Sequence, residues 1–180
     1  VASHWILDEH RTIAGHAVVP GTAYIELVTA GLRALGETSA FEIEDLFFVR
    51  PLHVADAETT DVRLRYARTE RGYFFETHSR CTIEGEQGWQ LHAQAQLRLL
   101  PMTSPDPIDI AAIEARCDRF VSEDSNGLRS RQEDHLRFGP RWRVLHRSGY
   151  GAGEAIGQLS LPAAYLGDVG AYHLHPALLD

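Results

Sequence analysis

Between residues 20 and 35, apolar side chains recur every three or four positions, at Tyr24, Leu27, Val28, Leu32 and Leu35, while Glu26 and Arg33 mark a narrow polar stripe. The spacing predicts a helix that opens at Pro20-Gly21-Thr22 and stops at Gly36. A helix apolar on most of its faces cannot lie on a surface, so other structure has to wrap it. Past Gly36 the pattern alternates with period two: Phe41-Glu42-Ile43-Glu44, Leu46-Phe47-Phe48-Val49, Val62-Arg63-Leu64-Arg65-Tyr66, Tyr73-Phe74-Phe75, and then residues 89–99. These segments read as antiparallel strands, joined by short turns such as Glu70-Arg71-Gly72 and Gly85-Glu86-Gln87-Gly88.

A central helix followed by a run of strands makes the chain α+β, with a sheet curled around the helix in the arrangement called a hot dog. Pro101, Pro105 and Pro107 then break the alternation. The expected organisation is a first hot-dog lobe over residues 1–100, a linker over 101–119 and the beginning of a second lobe over 120–180. Within the linker, residues 108–119 read as a short helical connector. The second unit carries a loop at Asp124-Ser125-Asn126-Gly127, a helix over 128–136 and strands near 142–147 and 153–161, the strands divided by the glycine-rich stretch 148–153. A second central helix would begin near Pro176, so the double hot dog is expected to be incomplete in its second lobe.

Composition excludes several classes of function. Arginine supplies every one of the 17 basic residues, against 25 acidic ones, for a net charge of −8. A chain without lysine can make neither a Schiff base nor a Walker-type phosphate loop. Scattered arginines on an acidic protein do not form a nucleic-acid surface. Cys81 and Cys117 have no CxxC partner, which leaves no thiolate zinc site and suits a reduced, cytoplasmic setting. No stretch approaches the roughly 20 apolar residues of a membrane span, and the first residues lack the pattern of a secretory signal.

Two segments could carry chemistry. In the first, His10 precedes Gly15 and the Val18-Val19-Pro20-Gly21 approach to the buried helix. A neutral imidazole beside an apolar cavity can abstract a proton, and a helix N-terminus offers free N–H groups to a developing oxyanion. The pairing suits removal of a proton alpha to a thioester carbonyl, although on the residues alone a structural histidine is the commoner outcome. In the second, Asp180 follows His175-Pro176-Ala177-Leu178-Leu179, where a first helical turn and apolar neighbours would desolvate the carboxyl and favour a general acid. The bland alternative is an exposed aspartate at a helix start. His173, His175 and His16 imitate a metal site without a completing carboxylate or thiolate, so no metal is expected.

Taken together, the segments resemble the dehydratase domain of modular polyketide synthases, a double hot-dog family. Trp5-Ile6-Leu7-Asp8-Glu9-His10 with Gly15 and Pro20-Gly21-Thr22-Ala23-Tyr24 is similar to the family's histidine signature, Phe138-Gly139-Pro140-Arg141-Trp142 to its Tyr-Gly-Pro segment, and His175-Pro176-Ala177-Leu178-Leu179-Asp180 to its aspartate signature. The resemblance implies elimination of water from a beta-hydroxyacyl thioester held on the phosphopantetheine arm of an acyl carrier protein, with no cofactor in the domain itself. It implies that His10 removes the alpha proton, that the Gly21 amide holds the enolate oxygen, and that Asp180 protonates the departing hydroxyl. Val18, Val19, Pro20 and the Phe138-Gly139-Pro140 turn would line an apolar tunnel. Neighbouring synthase domains are the implied partners, and sheet edges left open by an incomplete lobe point to a homodimer.

The sequence departs from the family pattern at two places. Four residues rather than three separate His10 from Gly15, so either a bulge absorbs one of them or His10 is displaced. Phe138 stands where the family has tyrosine and lacks its hydroxyl. The same His and Asp could serve a cyclase or a double-bond isomerase, the fold could serve a thioesterase, and a non-catalytic remnant would keep the fold without the reaction.

Overall fold

The computed structural model describes residues 4–83, 85–101, 106–122, 128 and 130–180. In chain order the helices are α1 (Trp5–Asp8), α2 (Gly21–Ala34), α3 (Ile110–Arg116) and α4 (Pro176–Leu179). The strands are β1 (His10–Thr12), β2 (Ala17–Val18), β3 (Ala40–Phe48), β4 (His53–Val54), β5 (Val62–Arg68), β6 (Gly72–Ile83), β7 (Glu86–Leu100), β8 (Arg119–Ser122), β9 (Leu136–Phe138), β10 (Leu145–Tyr150) and β11 (Ala155–Leu159).

The predicted central helix is α2, and its apolar side explains what covers it. Val28 and Leu32 are buried against Phe75, Ala95 and Leu97 of the antiparallel sheet β3-β7-β6-β5, with Phe41, Ile43, Leu64 and Tyr66 closing the edges of that core. Tyr66 reaches the helix itself, its hydroxyl donating to the carbonyls of Leu27 and Val28 at 3.1 and 3.0 Å. Nearer the start of α2, Tyr24 packs with Leu52 and Ala93. The two apolar runs on either side of Asp45 belong to the single strand β3, whose register shifts between Glu44 and Phe47 while Asp45 takes φ +51°. A short acidic side chain tolerates that left-handed conformation better than most residues.

The second half departs from the expected elements. Instead of a helix over 128–136, a 3-10 turn spans Arg131–Asp134, closed by Ser130 and Glu133 as a reciprocal cap, and Leu136 already belongs to β9. Pairing decides this: β9 lies antiparallel to β1, with His10 opposite Phe138 and Thr12 opposite Leu136. Tertiary partners outweigh local helical propensity here. Trp142 sits in a 3-10 turn (Pro140–Trp142) rather than a strand, which begins only at Leu145. Ser148, Gly149 and Tyr150, expected to divide two strands, lie inside β10, and the turn to β11 falls where the Gly151 N–H donates to the Glu154 carbonyl. The connector helix is α3, and Arg119 already begins β8. The expected turn 85–88 is shorter, because β7 starts at Glu86. The loop expected at 124–127 and residues 102–105 of the proline-rich stretch lie outside the described residues.

Two further sheets complete the arrangement, β11-β10-β8 and β4-β2-β1-β9. The second joins the histidine-bearing hairpin to the segment ahead of the Gly-Pro turn. A third core forms from Val144, Leu161 and Ala177, packed by Trp5, Trp142 and Leu178. No helix among the described residues is long and apolar enough to cross a membrane.

Candidate active site

His10 opens β1 and is 5% exposed. Its Nδ1 lies 2.7 Å from the Val18 carbonyl. A carbonyl can only accept, so Nδ1 carries the hydrogen and the lone pair of the neutral ring resides on Nε2. The tautomer required of a general base is thus set by a backbone contact within the hairpin.

The hairpin also shows how the additional residue after His10 is accommodated. Arg11 faces Ala17 across β1 and β2, the Gly15 N–H donates to the Thr12 carbonyl at 2.8 Å, and the Thr12 N–H donates to the His16 carbonyl at 2.9 Å. Gly15 at φ +92° ends the resulting three-residue loop. The pairing of β1 with β9 runs without a register shift. The expected bulge is therefore absent from the strand that carries His10, because the loop takes up the length.

Aromatic rings surround the imidazole. Phe138, directly opposite on β9, lies 5.4 Å away and Trp142 lies 5.6 Å away, while Phe138 and Trp142 stack at 6.0 Å. Trp142 also reaches the other predicted residue, its indole Nε1–H donating to Asp180 Oδ2 at 3.1 Å. Asp180 follows α4 directly, with its N–H donating to the Pro176 carbonyl. The apolar contacts around this turn are made by Ala177 and Leu178.

Gly139 and Pro140 have a framework role. The Gly139 N–H donates to the Glu9 carbonyl at 2.8 Å, and any Cβ at Gly139 would collide with the Glu9 side chain. Glu9 then accepts the Arg141 backbone N–H at 2.7 Å and pairs with the Arg141 guanidinium, which donates its Nε–H to Asp168 at 2.8 Å. The same guanidinium lies over the rings of Trp5 and Tyr165, at 5.0 and 4.2 Å. Sequence reasoning missed Glu9, Trp142 and this charge network. The available signal was an arginine and a tryptophan immediately after Gly-Pro.

Pro20 is buried and caps α2, and Gly21 begins it beneath the Phe48 ring, with no intrahelical acceptor for its N–H. A cavity of about 530 Å³ is lined by Arg11, Ala17, Val19, Leu27, Leu52 and Val54 among others. Successive strand residues face opposite sides of a sheet. Arg11, Ala17 and Val54 form one cross-strand row on the cavity face, whereas His10 and Phe138 form a row on the other. Of the residues expected to line one tunnel, Val19 borders this cavity. Val18, Pro20, Phe138, Gly139 and Pro140 do not border it, and Val18 and Phe138 lie on the other face of the small sheet.

The imitation metal site is dispersed. His16 pairs with His53, His173 accepts from Arg33 at 2.9 Å, and His175 stacks on Trp5. Among the described residues no group of three metal-ligating side chains gathers.

Two sequence profiles match the chain, one described as "Polyketide synthase dehydratase domain" over residues 1–80 and one as "Polyketide synthase dehydratase N-terminal domain" over residues 105–180. Among curated relatives, the spectinabilin polyketide synthase system protein NorA' of Streptomyces orinoci is 28% identical over the whole of this chain, which covers 5% of that protein. NorB of the same system is 30% identical over 95% of this chain and 8% of its own length. Among solved structures, the dehydratase domain from the CurF module of curacin polyketide synthase superposes with a TM-score of 0.82 at 26% identity, over 97% of this chain and 63% of that one. An inactive Asp-to-Asn mutant of the CurK dehydratase gives a TM-score of 0.78 at 25% identity, over 97% of this chain and 61% of that one. The chain thus spans a small part of the curated relatives and somewhat under two thirds of these structures, whose hot-dog fold it shares. With both profiles in chain order and the histidine and aspartate segments meeting at Trp142, the chain belongs to the polyketide synthase dehydratase domain family.

Proposed function

We propose that this chain is a hydro-lyase that removes water from a beta-hydroxyacyl thioester presented by an acyl carrier protein. The observation that carries the reading is the meeting of His10 and Asp180, from opposite ends of the sequence, on one indole ring. His10, held through Nδ1 by Val18, takes the alpha proton on Nε2. The Gly21 N–H at the start of the 14-residue helix α2 stabilises the enolate-like oxygen. Asp180 protonates the beta-hydroxyl as the C–O bond breaks, so that the alkene forms and one water leaves. Phe138, Trp142 and Trp5 keep the imidazole in an apolar setting.

The chemistry needs no cofactor in the domain, since the thioester arrives on the carrier's phosphopantetheine arm. The carrier protein, neighbouring synthase domains, a homodimer and a cytoplasmic setting belong to the same reading, as does the division into lobes at 1–100 and 120–180 about a linker. The inactivity of the CurK Asp-to-Asn mutant is support from a relative for an essential carboxyl.

The test is intact-mass measurement of a beta-hydroxyacyl carrier protein incubated with the protein and with its His10→Ala variant. Loss of one water with the unmodified protein alone is expected. An unchanged mass in both samples would overturn the reading, as would equal dehydration by the variant.

A further inference from the structure

Trp142 stands out because it touches both predicted reacting groups and can itself neither give nor take the transferred proton. An indole N–H is a donor only. Its direction here is fixed from several sides. The Trp142 backbone N–H closes the 3-10 turn onto the Gly139 carbonyl at 3.1 Å. Arg141, one residue earlier, is tied to Glu9 and Asp168. The ring packs on Trp5 at 5.3 Å and joins the core of Val144, Leu161 and Ala177. Asp180, directly after α4, meets that fixed indole through Oδ2 at 3.1 Å. A donor fixed in this way selects which way the carboxyl points.

We propose that Trp142 is a positioning residue for the general acid: its indole N–H engages Oδ2 of Asp180, leaving the other carboxyl oxygen to serve the beta-hydroxyl, and the Glu9–Arg141–Asp168 network keeps the indole aimed. The proposal rests on the dehydratase reading. In the step concerned, the alpha C–H proton passes to His10, the C=C bond forms, the C–O bond breaks, and a proton from Asp180 completes the departing water. Trp142 exchanges no atoms.

A leaving group that needs no proton separates this role from a general structural one. Chloride departs as the anion, so elimination from a beta-chloroacyl thioester calls on His10 and not on Asp180. Trp142→Phe keeps a ring against His10 and Trp5 but deletes the N–H, and Trp142→benzothienylalanine keeps the bicyclic outline with sulfur in place of the N–H. Both variants, in the full-length protein, are expected to lose on the order of 10- to 100-fold in kcat for the beta-hydroxyacyl substrate, the scale of a misplaced reacting group. Both should retain chloride elimination within about twofold, a difference small beside the misplacement effect. Asp180→Asn should copy this pattern, and His10→Ala should abolish both eliminations.

Equal slowing of the two substrates, or slowing of neither, would overturn the positioning role while leaving the dehydratase reading intact. Failure of the unmodified protein to dehydrate the hydroxyacyl substrate would instead overturn the dehydratase reading, and the proposal with it.

Discussion

His175 shows how much a single residue of a motif can conceal. The sequence presents it as one of two histidines flanking Leu174, a pattern open to metal binding, yet it is 6% exposed and both ring nitrogens are buried with no hydrogen-bond partner among the described residues. Its ring lies 5.2 Å from Trp5, nearly parallel, with Tyr172 edge-on at 5.1 Å. Burial depresses its pKa below the ordinary 6.5; the Asp168 charge works against the shift and the Arg141 charge with it. A histidine kept neutral by folding protonates first in the unfolded chain. Its contribution is therefore intact above the unfolded pKa and is lost as pH falls toward the lower folded one, at no more than about 1.4 kcal/mol per pH unit between them. Denaturant midpoints measured from pH 7.5 down to 5 should fall for the native protein, and His175→Leu should flatten that limb. His92 is buried too, but satisfied: its Nε2 meets the Ser79 hydroxyl at 2.7 Å and its Nδ1 the Arg50 carbonyl at 3.2 Å. Residue type announced neither environment.

Elements divide by length into those legible in the sequence and those not. The helix at 20–35 and the long strands β3, β5 and β7 are readable because each repeats its period several times, and burial on one face requires that repetition, whereas the two-residue β4 and most of β6 were not read. Leu32 tests the argument for α2: it is 2% exposed between Phe75 and Leu97. Leu32→Ala is expected to cost about 2–5 kcal/mol, read as a lower urea midpoint, and a loss under about 1 kcal/mol would mean that the sheet does not wrap the helix. The strands around the site, β1, β2 and β9, are two or three residues long. Such stretches hold no period to detect, and they become strands through the partners that reach them. The same is true of Leu136, the end of a helical pattern, which pairs with Thr12 of β1 instead.

At the scale of the molecule, the histidine segment and the segment after Gly-Pro are joined by ionic as well as backbone contacts. Arg141 sits between Glu9 and Asp168, with side-chain exposures of 20%, 11% and 29%, so the network is partly shielded from solvent. Partial burial makes the pair costlier to break from one side than surface pairs usually are. Glu9→Gln and Arg141→Met should each lower stability, and the double variant should be less destabilised than their sum, with a coupling of about 1–2 kcal/mol in a double-mutant cycle. Simple additivity would mean that the two side chains hold nothing together.

By itself the sequence determined the fold class, the central helix, the long sheet and the identity of His10 and Asp180 as candidates. Those properties depend on local periodicity, on turn residues and on motifs contiguous in the chain. Only the tertiary structure decided that His10 carries the Nδ1 hydrogen toward Val18, that the cavity lined by Arg11 and Val54 lies across the small sheet from it, and that Trp142 joins it to Asp180. These facts depend on which short strands pair and which rings meet across the fold. Contacts between residues far apart in the chain leave no spacing for a sequence to display.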